Sequence, residues 1–179
     1  MYQRLAGSTW RNIWLVGDLH GCFALLMSQL RQLKFDPWQD LLISVGDLID
    51  RGPQSVECLG LLRCRWFRAV RGNHEQMALD ALASGEMALW TMNGGGWYPT
   101  ASQEQKRLAD LLFNRCRDVP LIIELRCQDT THVIAHADYP ASVYRWQLPV
   151  DEHQVLWGRQ RLTDHLAGRH GEIAGADHF

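Results

Sequence analysis

The sequence predicts an α/β fold built around a parallel sheet. Three short apolar runs, at residues 12–16, 41–45 and 66–70, alternate with segments of helical spacing. Each run is followed at once by a glycine-containing loop rich in polar residues. A β-α-β-α-β order implies parallel strands joined by right-handed crossovers.

The elements follow in order. Residues 12–16 (NIWLV) have the length and composition of a short buried strand. Between residues 21 and 34, Cys22, Leu26, Leu30 and Leu33 fall on one helical face, which makes Cys22 a buried cysteine. Residues 41–45 (LLISV) repeat the strand pattern, and Pro53 suits the first turn of a helix running to Arg63. Residues 66–70 (WFRAV) form the third strand, with a helix over 74–83 behind it. Residues 93–96 (NGGG) read as a turn whose glycines permit left-handed backbone. Trp97 beside it either lines a cleft or packs in the core. Leu108, Leu111, Leu112 and Cys116 mark an amphipathic helix. Residues 121–127 and 132–135 read as an antiparallel hairpin around 128–131, and a helix is expected near 152–157.

A length of 179 residues suits one domain spanning 1–179 with a sizeable core. A net charge of −2 gives no support for a basic nucleic-acid-binding face. The five cysteines form no CxxC pair, so a reducing compartment is expected rather than a disulfide framework. The N-terminus lacks the apolar core of a signal peptide, and no run approaches the ~20 residues of a transmembrane helix. The chain is therefore expected to be cytoplasmic and monomeric, with no membrane partner.

The chemistry concentrates in four loops: Gly17–Gly21 (GDLHG), 46–52 (GDLIDRG), 71–75 (RGNHE) and 136–138 (HAD). Ligands in α/β folds bind at the carboxyl ends of strands, so these loops can share one crevice. Carboxylates, imidazoles and an amide oxygen suit Mn²⁺, Fe or Zn²⁺. Asp18 and His20, two residues apart, can point to one side of an extended segment. A carboxylate such as Asp47 can bridge two cations, and a metal pair at ~3.5–4 Å can clamp a phosphoryl group. Singly, each motif has a plain reading: Asp before Gly as a turn, Asn73 as a helix cap, His136 as a hydrogen-bonded core histidine. Four such loops, each behind a strand, point instead to one metal site.

GDLHG, GDLIDRG, RGNHE and IAHAD together resemble the metallophosphoesterase superfamily. More narrowly they resemble its serine/threonine protein phosphatases of the phage lambda and enterobacterial type. The likeness extends through DLLISVGDLIDRG, WFRAVRGNHEQM, NGGGW and HVIAHADYP, over almost the whole chain. It implies a β-sandwich of two mixed sheets flanked by helices. It implies Asp18, His20 and Asp47 as ligands of a first metal, Asp47 as the bridge, and Asn73 and His136 as ligands of a second. It implies His74 as proton donor, Asp50 as its orienting carboxylate, and Arg51, Arg71 and Arg159 as phosphate-holding residues, with Arg161 the residue to be confused with Arg159. The implied activity is hydrolysis of phosphoserine and phosphothreonine in proteins or peptides with two divalent ions, Mn²⁺ favoured. Phosphotyrosine and phosphohistidine are further candidate substrates.

One departure is expected to matter. Relatives complete the second metal site with a histidine in a GHT-type motif after a GAD-containing segment. Here Gly175-Ala176-Asp177 matches that lead-in and the sequence ends at Phe179. The last strands and that ligand would follow, and His178 precedes the ligand position. A weaker second metal site is the expectation. Two alternatives stay open: a phosphoprotein-binding chain without turnover, and a symmetrical dinucleoside tetraphosphate hydrolase. Asp50 and the GNHE form of the third motif weigh against the latter.

Overall fold

The computed structural model describes residues 1–169 and 171–179. The elements are β1 (Tyr2–Ala6), β2 (Ile13–Val16), α1 (Phe23–Gln32), β3 (Leu41–Ser44), α2 (Ser55–Gly60), β4 (Phe67–Ala69), α3 (Asn73–Ser84), α4 (Ala88–Trp90), α5 (Trp97–Thr100), α6 (Gln103–Cys116), β5 (Ile122–Cys127), β6 (Thr130–Ala135), α7 (Glu152–Trp157) and α8 (Gln160–Leu166). Strands β2, β3 and β4 form a parallel sheet with β3 in the centre. A second sheet has the order β1-β5-β6, with β1 parallel and β6 antiparallel to β5.

Side-chain alternation turns these sheets into layers. Leu41 and Ile43 of β3 meet Ile123 and Leu125 of β5 and Ile134 of β6 in the core between the sheets. On the other face of the first sheet, Leu42, Phe67 and Ala69 pack on the helices through Leu26, Leu30, Leu59, Met77 and Phe113. Beyond the second sheet, Ile122 and Val133 bury against Tyr139, Tyr144, Val155 and Leu156. Covered on both faces, β3 is wholly apolar apart from Ser44, as a central parallel strand requires.

Several sequence expectations need correction. Strand β1 was not foreseen, because its pairing partner lies more than a hundred residues away. Residues 93–96 are not a simple turn: α4 runs into a π-turn over Thr91–Gly95, kinked at Gly94 (φ 113°), and then into α5. Pro53 lies just ahead of α2, which gives way to a 3-10 turn over Leu61–Arg63. In α6 the buried stripe is Ala109, Leu112, Phe113 and Cys116, while Leu108 and Leu111 are exposed. Cys22 is exposed because it sits at the N-cap of α1, before the helix can turn it inward. No helix among the described residues is long and apolar enough to cross a membrane.

A buried carboxylate ties the entry of β2 to that of β3. Asp40 accepts from Arg11 Nε (3.0 Å) and Nη2 (2.8 Å), from Asn12 Nδ2 (3.0 Å) and from the Asp36 backbone (2.9 Å). The Arg11 guanidinium, helped by those other donors and opposed by burial, holds this carboxyl down at about 2. The ordinary value of such a carboxyl is about 3.8, so its stabilisation is complete above pH ~4 and disappears as pH falls through about 2. Asp40→Asn should lower the urea midpoint at pH 7. The difference from the parent chain should shrink in titrations between pH 4 and 2, and a constant difference would refute the linkage.

Candidate metal centre

The four polar loops meet at the carboxyl ends of β2, β3, β4 and β6. The loop after β3 threads between its neighbours. Leu19 and His20 N–H groups donate to Asp47 O (3.0 and 2.9 Å), and Gly21 N donates to Leu48 O (2.9 Å). His20, Asp47, Asp50 and Arg51 all hold positive φ (41°, 50°, 74° and 65°). Such left-handed backbone is costly for residues with a Cβ, and it clusters where side chains must converge. Gly72 permits a close approach: a Cβ there would collide with Asp47 Oδ1 and N.

Asp47 lies at the centre of the donor set. Its Oδ2 is 3.8 Å from His20 Nε2 and 3.8 Å from His74 Nε2, while its Oδ1 is 3.5 Å from His136 Nε2. Asp18 Oδ2 lies 3.8 Å from His20 Nε2. The donor atoms of Asp18, Asp47 and His136, and separately those of His20, Asp47 and His74, lie within 4.8 Å of one another. One carboxylate thus offers an oxygen to each of two groups, the arrangement a bridging ligand needs.

The two outer histidines are set for a cation by their partners. His20 Nδ1 donates to Ile49 O (2.9 Å) and His136 Nδ1 to Val45 O (2.7 Å), so each Nε2 carries the lone pair. His136 Nε2 then faces Asn73 Oδ1 at 2.8 Å. Two acceptors at that distance repel, and a shared cation between them or reversal of the amide relieves the contact. With Asp18, Asp47 and His20, these residues fit a divalent metal pair, and the donor set is that of a borderline-to-hard ion.

His74 is the deepest imidazole. Its Nδ1 donates to Asp50 Oδ2 at 2.7 Å, and its Nε2 accepts from Arg51 Nη2 at 3.1 Å. Burial, the largest single influence, pushes His74 down. The Asp50 hydrogen bond and the charges of Asp47 and Asp50 outweigh burial against an opposing Arg51, holding the imidazole above its ordinary value. Arg51 also donates from Nη1 to His20 Nε2 at 2.7 Å. Asp50 is wholly buried and accepts from both Trp90 and Trp97 indoles.

Glu75, the last residue of the RGNHE motif, has a structural role that the motif alone does not reveal. It is fully buried, and its carboxylate accepts from the backbone N–H groups of Asp47 (2.9 Å), Leu48 (2.8 Å), Ile49 (3.3 Å) and Gly72 (3.0 Å). Burial and the neighbouring Asp47 push its carboxyl up to about 7, against the Gly72 and Leu48 N–H groups. A glutamate at the third position of a helix suggests reach-back to its own N-cap. Nothing in the sequence indicated that it would also hold the loop after β3.

Asp18, His20, Asp47, Asp50, Arg51, Asn73, His74 and His136 are therefore brought together by direct side-chain approaches. Arg71 follows β4 with its backbone N on Pro120 O, and its side-chain Nε is buried without a hydrogen-bond partner among the described residues. Arg159 is exposed at the N-cap of α8 and makes no hydrogen bond or ion pair with the other site residues among those described. Arg161, its rival, is committed to Asp138 Oδ1 (2.9 Å), Tyr139 O (3.1 Å) and Gly171 O (3.2 Å).

A match to the family described as calcineurin-like phosphoesterase spans residues 11–173. The chain is a calcineurin-like phosphoesterase. This phosphoesterase is 59% identical over 179 residues to serine/threonine-protein phosphatase 1 of Salmonella typhimurium, covering 100% of the chain and 81% of that protein. It is 45% identical to serine/threonine-protein phosphatase 2 of Escherichia coli, covering 99% of the chain and 82% of that protein. A solved structure described as a putative diadenosine tetraphosphatase matches with a TM-score of 0.59 and 28% identity, covering 84% of this chain and 58% of that one.

Replacing Glu75 by Gln keeps the side chain's size and turns two of its hydrogen-bonding positions into donors that face backbone N–H groups. The expected outcome is a loss of about 2–5 kcal/mol in urea unfolding, together with weaker Mn²⁺ binding by calorimetry. Unchanged metal affinity in a folded variant would show that the loop does not depend on this carboxylate.

Proposed function

We propose that this phosphoesterase is a metal-dependent serine/threonine protein phosphatase acting on phosphorylated proteins or peptides. The observation that supports this reading best is the buried Asp50–His74 pair, 2.7 Å apart and beside Asp47. A serine or threonine alkoxide is a poor leaving group and needs a proton in the transition state. The end-to-end likeness to proteins named serine/threonine phosphatases favours the same substrate class.

In this reading Asp18, His20 and Asp47 hold one divalent cation, and Asp47, Asn73 and His136 hold the other. Mn²⁺ is the favoured ion, by likeness. When bound, the pair supplies Lewis acidity to the phosphoryl oxygens and acidifies the attacking water. Arg51 and Arg71 grip phosphate oxygens by charge-assisted hydrogen bonds. Arg71 has a buried donor without a partner among the described residues, and Arg51 is exposed on a left-handed residue. Arg159 is retained as the third phosphate residue, since Arg161 is already committed to Asp138.

His74 delivers the proton from Nε2, with Nδ1 anchored on Asp50. Arg51 Nη2 donates to that Nε2 here, so phosphate binding must draw Arg51 away and let the nitrogen take up, from solvent, the proton that it then gives to the leaving oxygen. No side chain of the cradle is specific for the residue that bears the phosphate, so phosphotyrosine and phosphohistidine are included as substrates. A cytoplasmic, monomeric protein without nucleic-acid or membrane partners completes the proposal.

With Mn²⁺, the chain should hydrolyse a phosphoserine peptide faster than diadenosine tetraphosphate. His74→Asn should cost about 10²–10⁴-fold in kcat on the peptide, and Asp47→Asn should remove turnover together with metal binding. Preference for the dinucleotide would replace the substrate assignment. Phosphopeptide binding without turnover would make the chain a binding protein instead.

A further inference from the structure

The carboxylate behind His74 has an unusual set of partners. Asp50 has no exposure to solvent, and its two oxygens accept from two tryptophans and one histidine. Trp90 Nε1 straddles both oxygens at 3.0 and 2.9 Å. Trp97 Nε1 donates to Oδ1 alone, at 2.8 Å. Oδ2 is left with a direction for His74 Nδ1.

The chemistry of these donors matters. A carboxylate turns readily about its last torsion, so an imidazole held by one oxygen is only as well placed as that torsion. Arginine or lysine would fix the carboxylate but oppose its charge, weakening its hold on the imidazole. Water would satisfy it without orienting it. An indole N–H donates, accepts nothing and carries no charge. Two of them fix both oxygens and leave the negative charge facing His74.

The backbone is shaped to bring them together. Seven residues of straight α-helix separate two side chains by about 10 Å along the axis. The π-turn and the kink at Gly94 interrupt that course, and the Trp90 and Trp97 ring centroids stand 6.0 Å apart in an edge-to-face contact. Phe113 closes the cage against both rings, at 5.7 and 6.4 Å. The end of the π-turn is closely fitted as well: a Cβ on Gly95 would collide with the Trp90 indole. Arg51 N donates to Gly94 O at 3.4 Å, so the same segment touches the phosphate-binding arginine.

We infer that Trp90 and Trp97 are positioning residues for the reaction, orienting Asp50 so that His74 presents Nε2 to the leaving oxygen. The inference rests on His74 being the proton donor. Trp97→Phe is the primary test, because Trp97 is only half-buried and phenylalanine keeps the ring contact while deleting the N–H; Trp90→Phe is the second. In the Mn²⁺-loaded chain, Trp97→Phe should lower kcat on a phosphoserine peptide roughly tenfold or more. On 2,4-dinitrophenyl phosphate, whose leaving group departs without a proton, the loss should stay within about twofold, with KM steady on both. Equal losses on the two substrates would overturn the positioning role.

A second readout needs no turnover. The His74 Nδ1 proton, shared with Asp50, should give a downfield imidazole resonance in proton NMR of the metal-free chain, assigned by its loss in His74→Asn. Trp97→Phe should shift or broaden it, and an unmoved resonance would overturn the inference. If His74→Asn itself lowers both substrates equally, the proton-donor reading fails, and with it the catalytic purpose of the clamp, whatever the resonance shows about Asp50.

Discussion

Glu75 sits out of reach of solvent with four backbone N–H groups converging on its carboxylate, three from the loop after β3 and one from the loop after β4. Those donors have no strand or helix to satisfy them, and a buried N–H without a partner costs about 1–3 kcal/mol. One side chain therefore allows the loop to leave β3 abruptly, pass through positive φ at Asp47, and still be buried. Asp47 then arrives between His20 on one side and His136 on the other. The candidate metal ligands, the Asp50–His74 pair and the Arg51 contacts all hang from that loop.

The two sheets contribute differently to the result. The parallel sheet aims three loops in one direction, since parallel strands share their carboxyl ends. The second sheet brings His136 over the top of the first, where its Nδ1 binds Val45 O at the end of β3. That contact crosses the sandwich and fixes where the imidazole points. The inter-sheet core of Leu41, Ile43, Ile123, Leu125 and Ile134 is what holds the second sheet in range.

The legible parts of the fold were those written locally. The strands β2, β3 and β4 could be read from short apolar runs, and the site from the glycine-rich loops behind them. Family likeness then assigned roles that residue spacing alone left open. The harder parts depend on distance along the chain. Strand β1 finds its partner at β5, and Glu75 finds its donors 26–28 residues upstream. Trp90 and Trp97 reach Asp50 across 40 and 47 residues, through a π-turn that looks like a plain glycine turn on paper. In α6, Leu108 and Leu111 suggested the wrong face because small Ala109 belongs to the buried stripe and carries little apolar signal.

The left-handed residues divide into two kinds, and the division tells an engineer where to work. His20, Asp47, Asp50 and Arg51 occupy positive φ at the site, and glycine there would relax the backbone only by erasing the donor set. Lys34, Gln128 and Gln147 hold φ of 54°, 52° and 60° outside it: Lys34 just past α1, Gln128 in the β5–β6 turn, Gln147 in the segment before α7. Their conformation suits glycine or asparagine, and none of their side chains belongs to the cradle. Heat resistance can thus be raised at the periphery while the strained centre keeps its shape.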